Sequence, residues 1–128
     1  MEELARRAVA CKHWRWMPGM LIQNADGPVR IDAVDGTQPG VLRKCHFTNE
    51  VYVADVRSGP LPDLTDPATL GCLLALVREA WGCDRLTCQP FLSSHPAKLW
   101  DGWRVVGTSA QSDHTEAAAL VAALESAR

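Results

Sequence analysis

A chain of 128 residues is long enough for one domain and short for two. With 47 % hydrophobic and 22 % charged residues, it can bury a core that needs neither a disulfide nor a metal to hold it together. The net charge is −2 and the basic residues are scattered, which argues against a nucleic-acid footprint. No apolar run is long enough to span a membrane, and the acidic start Met1–Leu4 is unlike a signal peptide.

The N-terminal half is predicted to contain one helix followed by short strands. The helix runs from Glu2 to about His13, and Trp14–Met17 forms either a short strand or the packed exit of that helix. Turn-forming residues separate the strands, which are predicted at Leu21–Gln23, Pro28–Val34, Val41–Phe47 and Glu50–Arg57. The proline-rich segment Ser58–Asp63 is interpreted as a connector rather than a domain boundary.

The C-terminal half carries two helices with strong start signals. One begins at Thr65 or Asp66, has Pro67 in its first turn and ends before Gly82. Strands are predicted at Arg85–Phe91 and Gly102–Thr108.

The last helix is predicted to begin at Asp113, with Glu116 completing a capping box. Its core face is predicted to consist of Ala117, Leu120, Val121 and Leu124. The order of elements predicts a single α+β domain over residues 1–128, a mainly antiparallel β-sheet packed by two or three helices.

Five tryptophans are many for a chain of this length. Large aromatic side chains dominate small cores, and three are expected there: Trp16, Trp81 and Trp103. Trp and Arg also anchor protein interfaces, and Trp14, Arg15 and Trp100 lie beside turn signals, outside the two clear helical stripes. We therefore expect Trp14, Arg15 and Trp100 to be the partner-binding residues.

Several cysteines and histidines are potential metal ligands: Cys11, His13, Cys45, His46, Cys83, Cys88, His95 and His114. Their spacing does not match the paired knuckles of structural zinc sites, so no metal and no cofactor are predicted. Cys11, Cys72 and Cys88 are interpreted as small buried hydrophobic residues, and five irregularly spaced cysteines do not form a secreted disulfide framework. No nucleophile elbow and no phosphate-binding glycine loop is present, so no catalytic residue is assigned and an enzyme is disfavoured.

Three segments carry a resemblance: Arg6–Met20, Leu61–Leu74 and Glu116–Glu125. They resemble small proteins encoded by tailed phages and prophages, and the plan is similar to the phage helix–sheet–helix sandwich domain. In that plan an early Trp-containing segment, a middle helix and a terminal helix enclose a small sheet. The β-rich stretch Val29–Arg57 departs from it. The resemblance supplies no catalytic residues.

We therefore expect a small phage-encoded accessory protein that binds a host or phage protein in the host cytoplasm. Inhibition of a bacterial defence system, of the anti-CRISPR or anti-restriction type, is one form of this function. Two alternatives stay open. One is a small Cys/His metal-binding module or enzyme, and the other is a nucleic-acid-binding protein that uses the first helix and Trp14–Trp16.

Overall fold

The computed structural model describes residues 2–23, 28–31, 33–34, 41–45, 51–55, 61–91, 102–108 and 113–128. The helices in this part of the chain are α1 (Glu2–Ala10), α2 (Pro67–Trp81) and α3 (Glu116–Ser126). The strands are β1 (Leu21–Gln23), β2 (Val29–Arg30), β3 (Ala33–Val34), β4 (Val41–Cys45), β5 (Val51–Asp55), β6 (Leu61–Pro62), β7 (Thr87–Phe91) and β8 (Gly102–Val106). The predicted α+β class is confirmed.

All strand pairs in the described ranges are antiparallel, and they form three sheets ordered β2–β1–β6, β3–β4–β5 and β7–β8. The predicted strand Pro28–Val34 is divided between the first two sheets. Ile31 remains with the first sheet, since its N–H donates to the Met20 carbonyl at 2.8 Å and its carbonyl accepts from Gly19 N–H at 2.8 Å. The next strand, Ala33–Val34, pairs with β4 instead.

Strand β6 lies inside the segment that was predicted to be only a connector. Pro62 stands opposite Ile22, and Asp63 N–H extends the pairing by donating to the Leu21 carbonyl at 2.8 Å. Proline is tolerated here because β6 is an edge strand, where one row of hydrogen-bonding groups is unpaired. The connector interpretation is therefore wrong for residues 61–62.

Both predicted ends of α2 are confirmed. Asp66 is the N-cap, and its Oδ2 accepts a hydrogen bond from Thr69 N–H at 2.9 Å. Pro67 is the first helical residue, where the N–H that proline lacks would have no partner in the helix. Gly82 adopts a left-handed conformation with φ of 63° and donates to the Arg78 and Glu79 carbonyls.

Helix α3 begins later than predicted. Its N-cap is Thr115, whose Oγ1 accepts from Ala118 N–H at 3.0 Å, and not Asp113. Asp113 is held in an extended bridge to Trp103, with hydrogen bonds of 2.7 and 2.8 Å in the two directions. A residue bound to a strand in this way does not start a helix. The predicted core face of α3 is confirmed, with all four residues buried.

Helix α1 is shorter than predicted, ending at Ala10 instead of His13. Turn-type hydrogen bonds follow it, from Cys11 N–H to the Ala8 carbonyl and from Trp14 N–H to the Cys11 carbonyl. The imidazole of His13 lies 3.2 Å from the Ala127 carbonyl oxygen, which ties the chain after α1 to the end of α3.

A continuous core joins the helices to the first and third sheets. Helix α3 packs against α1, α2, β7 and β8, while α1 also packs against β6. The largest fully buried side chains include Met20, Ile31, Leu64, Leu73, Leu76, Leu86, Leu120 and Leu124. In the described ranges, no helix has the length and apolar character that crossing a membrane requires.

Candidate functional site

The segment Trp14–Met17 has no regular secondary structure and lies between the turn after α1 and the turn at Pro18–Gly19. Trp16 is buried, with 6 % of its surface exposed, while Trp14 and Met17 are half-buried against the core. Of the two predicted forms, the packed exit of the helix is therefore the one observed.

Trp14 and Trp16 form an edge-to-face pair, with ring centroids 5.4 Å apart and an angle of 84° between the ring planes. Both indole Nε1 atoms are buried and neither has a hydrogen-bond partner. In an edge-to-face pair only one ring presents its edge to the other, so at most one N–H can donate into a π face. At least one buried N–H therefore remains without an acceptor, and such a group costs about 1–3 kcal/mol.

The backbone of this segment is held at its ends by turn-type hydrogen bonds, from Trp14 N–H to the Cys11 carbonyl and from Met20 N–H to the Met17 carbonyl, and less firmly between them. Met17 N–H donates to Met20 Sδ at 3.3 Å, and a thioether sulfur is a weak acceptor. Arg15 Nη1 lies 2.5 Å from Glu79 Oε2 in the last part of α2, but the two side chains are 53 % and 61 % exposed. An ion pair this open to water adds little to stability.

The three predicted partner-binding residues are described to different extents. Arg15 is exposed and Trp14 is half-buried, and they are neighbours in the irregular segment. Trp100 lies outside the described residues. The partner-binding role of all three stays a prediction.

The remaining tryptophans expected in the core are only partly enclosed. Trp81 and Trp103 are half-buried and pack against the core cluster. Trp81 Nε1 donates to the Ala123 carbonyl at 2.8 Å. This carbonyl belongs to the last turn of α3, where the helix leaves carbonyl groups without intrahelical partners. Trp81 therefore supplies a hydrogen-bond donor to a carbonyl group at the end of α3, in addition to packing against the core.

The arginines near the N-terminus face carboxylates instead of forming a free basic patch. Arg6 pairs with Glu2 of the same helix, and Arg7 pairs with Glu125 of α3, each at 2.5 Å. With Arg15 paired to Glu79, the described arginines of this region are each matched by a negative charge. This arrangement gives little support to the nucleic-acid-binding alternative.

The described thiols of Cys11, Cys72, Cys83 and Cys88 are free and half-buried. Burial raises the pKa of Cys88 to about 11 and also raises the pKa of Cys72, so both stay protonated near neutral pH. Among the described residues, no group of three or more His, Cys, Asp or Glu side chains is placed to hold a metal ion. His46, His95 and the side chain of Cys45 lie outside the described part of the structure.

An ionic network that the sequence pattern did not predict joins α2 to the first sheet. Arg30 contacts Asp66 through two hydrogen bonds, of 2.7 and 3.1 Å, and also donates to the Gly19 carbonyl at 2.8 Å. The buried Thr69 hydroxyl accepts from Leu21 N–H at 2.9 Å and lies 2.9 Å from Asp66 Oδ2. The Arg30 guanidinium is the main reason that the pKa of Asp66 falls from 3.8 to about 2.

A cavity of about 490 Å³ opens between the N-terminal part of α1 and strand β6. Its polar lining consists of Glu2, Gln23, Asp63 and Thr65. Its apolar lining consists of Ala5, Leu61, Pro62 and Leu64. The Trp14–Met17 segment does not line it, so the described part of the chain holds two separate candidate sites.

No protein-family model, curated protein or solved structure matches this chain. The resemblance to phage-encoded proteins accordingly stays a prediction.

Proposed function

We propose that this protein is a binding module that acts through a protein–protein surface containing Trp14 and Arg15. The observation that carries the proposal is the pair of buried indole N–H groups without partners in Trp14 and Trp16. A buried donor without an acceptor is unfavourable in the free protein. A partner that supplies an acceptor to such a donor removes this penalty.

The local structure supports an outward movement of the Trp14–Met17 segment on binding. Both Nε1 atoms are covered by the protein's own atoms, so a partner reaches them only if the segment turns outward. The contacts that hold Trp14–Met17 in place include a hydrogen bond to sulfur and an exposed ion pair, both of which are weak. Segments that rearrange on binding are drawn from such weakly stabilised parts of a fold.

Arg15 provides the charged component of the proposed surface. Its guanidinium is exposed and its pairing with Glu79 is open to water, so a carboxylate of a partner can replace Glu79 at little cost. Among the described large hydrophobic residues, Val106 is the exposed one, at 41 %. The proposed surface therefore resembles the mixed aromatic and arginine type of interface more than a large apolar patch.

A more specific form of the proposal names the origin of the protein and the kind of partner it binds. A phage-encoded accessory protein in the host cytoplasm, binding a host or phage protein, agrees with the resemblance of the Trp-containing segment and of the two later helices. Trp100 is proposed to contribute to partner binding as well. Inhibition of a bacterial defence system is a specific case of this role.

The test measures binding to a partner after the partner has been isolated and purified. We expect Trp14→Ala and Arg15→Ala each to weaken binding at least 30-fold, the loss typical of an interface anchor of about 2 kcal/mol. Arg104→Ala is the matched control, because Arg104 is an exposed arginine of β8 and not part of the segment. Circular dichroism confirms that each variant is folded.

Two results would contradict the proposal. One is full affinity in both folded variants, which would place the interface elsewhere. The other is turnover of a substrate by the purified protein without any stable partner.

A further inference from the structure

The cavity between α1 and β6 is a second, independent candidate site, and its size indicates what it can hold. At about 490 Å³ it lies within the range of about 300–1,000 Å³ typical of pockets for organic ligands. It is far larger than a single metal ion needs. The described residues also place no three metal-ligating side chains together, so a bare metal ion is a poor match.

Among the described residues that line the cavity, the charged ones are Glu2 and Asp63, and both are acidic. Asp63 accepts hydrogen bonds from Thr65 and Gln23, and these lower the pKa of its carboxyl group below its usual value of 3.8. Asp63 is therefore ionised at neutral pH, and the cavity favours a positively charged ligand.

The carboxylate of Asp63 is held in position and keeps room for one more donor. Oδ1 accepts from Thr65 N–H at 2.9 Å and from Thr65 Oγ1 at 2.5 Å, while Oδ2 accepts from Gln23 Nε2 at 2.8 Å. A carboxylate has about four lone-pair positions, so three hydrogen bonds leave one position for a ligand. A fixed acceptor binds a cation without first losing side-chain freedom.

Glu2 can add a second negative charge at the mouth of the cavity. Its Oε1 pairs with Arg6 at 2.5 Å, but both side chains are 68 % exposed, so exchanging Arg6 for a ligand costs little. The positive end of the α1 dipole disfavours a cation, but it amounts to only about half a charge. Glu2 and Glu3, both in the first turn of α1, outweigh it.

The rest of the lining is apolar. Leu61 is half-buried and offers the accessible surface against which an aliphatic chain can pack, while Ala5 and Leu64 are only 2 % and 1 % exposed. A long side chain that ends in a charge matches both parts of the cavity, because its stem contacts the apolar part and its head contacts the carboxylates. Arginine and lysine side chains have this form.

We propose that the cavity between α1 and β6 binds an arginine or lysine side chain presented by a partner protein. The site is distinct from the Trp14–Met17 segment, and the proposal does not depend on the function assigned to that segment. It defines a specificity pocket for a basic residue at a second place on the surface.

The experiment follows backbone amide chemical shifts of the whole protein while a short capped peptide, acetyl-Gly-Arg-Gly-amide, is added. We expect the shifts to concentrate around Gln23, Asp63 and Thr65, with a dissociation constant of about 1 mM for so small a ligand. The same peptide with citrulline in place of arginine is nearly identical in shape but neutral, and it is expected to bind at least fivefold more weakly. Binding of the arginine peptide should weaken as salt is raised.

Substituting each carboxylate of the cavity by the amide of similar shape tests whether its negative charge contributes to binding. Asp63→Asn retains an acceptor for Thr65 and is expected to weaken arginine-peptide binding about fivefold, and Glu2→Gln about twofold, following the energies of partly exposed ion pairs. Asp84→Asn is the matched control, because Asp84 is exposed and does not line the cavity. It should leave binding unchanged.

Four outcomes would overturn the proposal. Equal binding of the arginine and citrulline peptides would show that charge is not recognised. Undiminished binding in folded Asp63→Asn, or shifts centred away from the cavity, would show that the carboxylate is not the ligand. A free amine such as agmatine binding at least tenfold more tightly than the peptide would make a small molecule, and not a partner's side chain, the occupant.

Discussion

Helix α2 and the segment Trp14–Met17 differ in whether their polar side-chain groups have hydrogen-bond partners. At the start of α2, Asp66 is bound by Thr69 and Arg30, and at its end the indole of Trp81 donates to Ala123. In the irregular segment, the indole N–H groups of Trp14 and Trp16 are buried and have no acceptors. The two regions are joined at the surface by an exposed ion pair, yet only the first has its buried donors satisfied.

The difference shows that burial of a tryptophan does not by itself define its role. Trp81 contributes both packing and a hydrogen bond to a helix end, so it is expected to stabilise the fold. Trp16 stabilises the fold by packing, but a buried N–H without an acceptor, on Trp16 or on Trp14, reduces that stabilisation. Trp81 has an acceptor within reach of its indole N–H, and Trp14 and Trp16 do not.

The largest expected effect is on the α2 side of the comparison. Trp81→Ala removes a large ring from the contact between α2 and α3 and leaves the Ala123 carbonyl without its donor. We expect a loss of about 3–4 kcal/mol in the free energy of unfolding, measured by urea denaturation. Val106→Ala is the control, because Val106 is 41 % exposed, and it should change stability by less than about 0.5 kcal/mol. Equal midpoints for the two variants would show that Trp81 is not part of the core.

A smaller loss is expected at the other end of α2. Asp66→Ala removes the N-cap together with the partner of Arg30, and we expect a cost of about 2 kcal/mol. Thr65→Ala is a useful neighbour control, since Thr65 is exposed and does not cap the helix. A loss as large in Thr65→Ala would mean that the start of α2 is set elsewhere.

The same carboxylate gives a pH dependence with a definite sign. Because the pKa of Asp66 falls from 3.8 to about 2 on folding, its charge contributes stability that is fully present above about pH 4. That contribution is lost as the pH falls toward 2. Asp66→Asn retains a capping side chain without the charge, so the advantage of the wild type over this variant should shrink between pH 4 and pH 2. A constant difference over this range would contradict the ionic role of Asp66.

The two ends of α2 are also the structural features that the sequence predicted most accurately. Asp66, Pro67 and Gly82 are local signals whose meaning depends on only a few neighbouring residues. Asp113 carried an equally good local signal, but its backbone pairs with Trp103, a partner ten residues away in the sequence. The helix therefore begins after Thr115, a second residue of the capping type.

Features that depend on distant partners could not be predicted in this way. Strand β6 has two residues, which is too short for an alternating pattern, and its pairing is set by β1. The contact of Arg30 with Asp66 spans 36 positions and leaves no local pattern. The rings of Trp14 and Trp16 are in contact. Whether an acceptor stands opposite each indole depends on the folded surroundings.

A direct test of the comparison replaces each indole by a phenyl ring. Trp81→Phe keeps much of the packing but removes the donor to Ala123, so we expect a loss of about 1–2 kcal/mol. Trp16→Phe removes a buried N–H without a partner, which offsets the lost packing, and stability should stay within about 1 kcal/mol of the wild type. Urea denaturation of both variants gives the difference. If Trp16→Phe proves the more destabilising of the two, the Trp16 indole has an acceptor in solution and the contrast between the regions fails.

The smallest expected effect concerns the contact between the two regions. Arg15→Ala breaks the ion pair with Glu79, but both side chains are more than half exposed. Water and dissolved ions compensate most of such a loss, so the free energy of unfolding should fall by less than about 0.5 kcal/mol. Glu79→Ala should give the same small change, and the double variant should equal the sum of the two within about 0.3 kcal/mol. A coupling energy above about 1 kcal/mol would mean that Arg15 holds the segment against α2, and its exposure would then serve stability instead of binding.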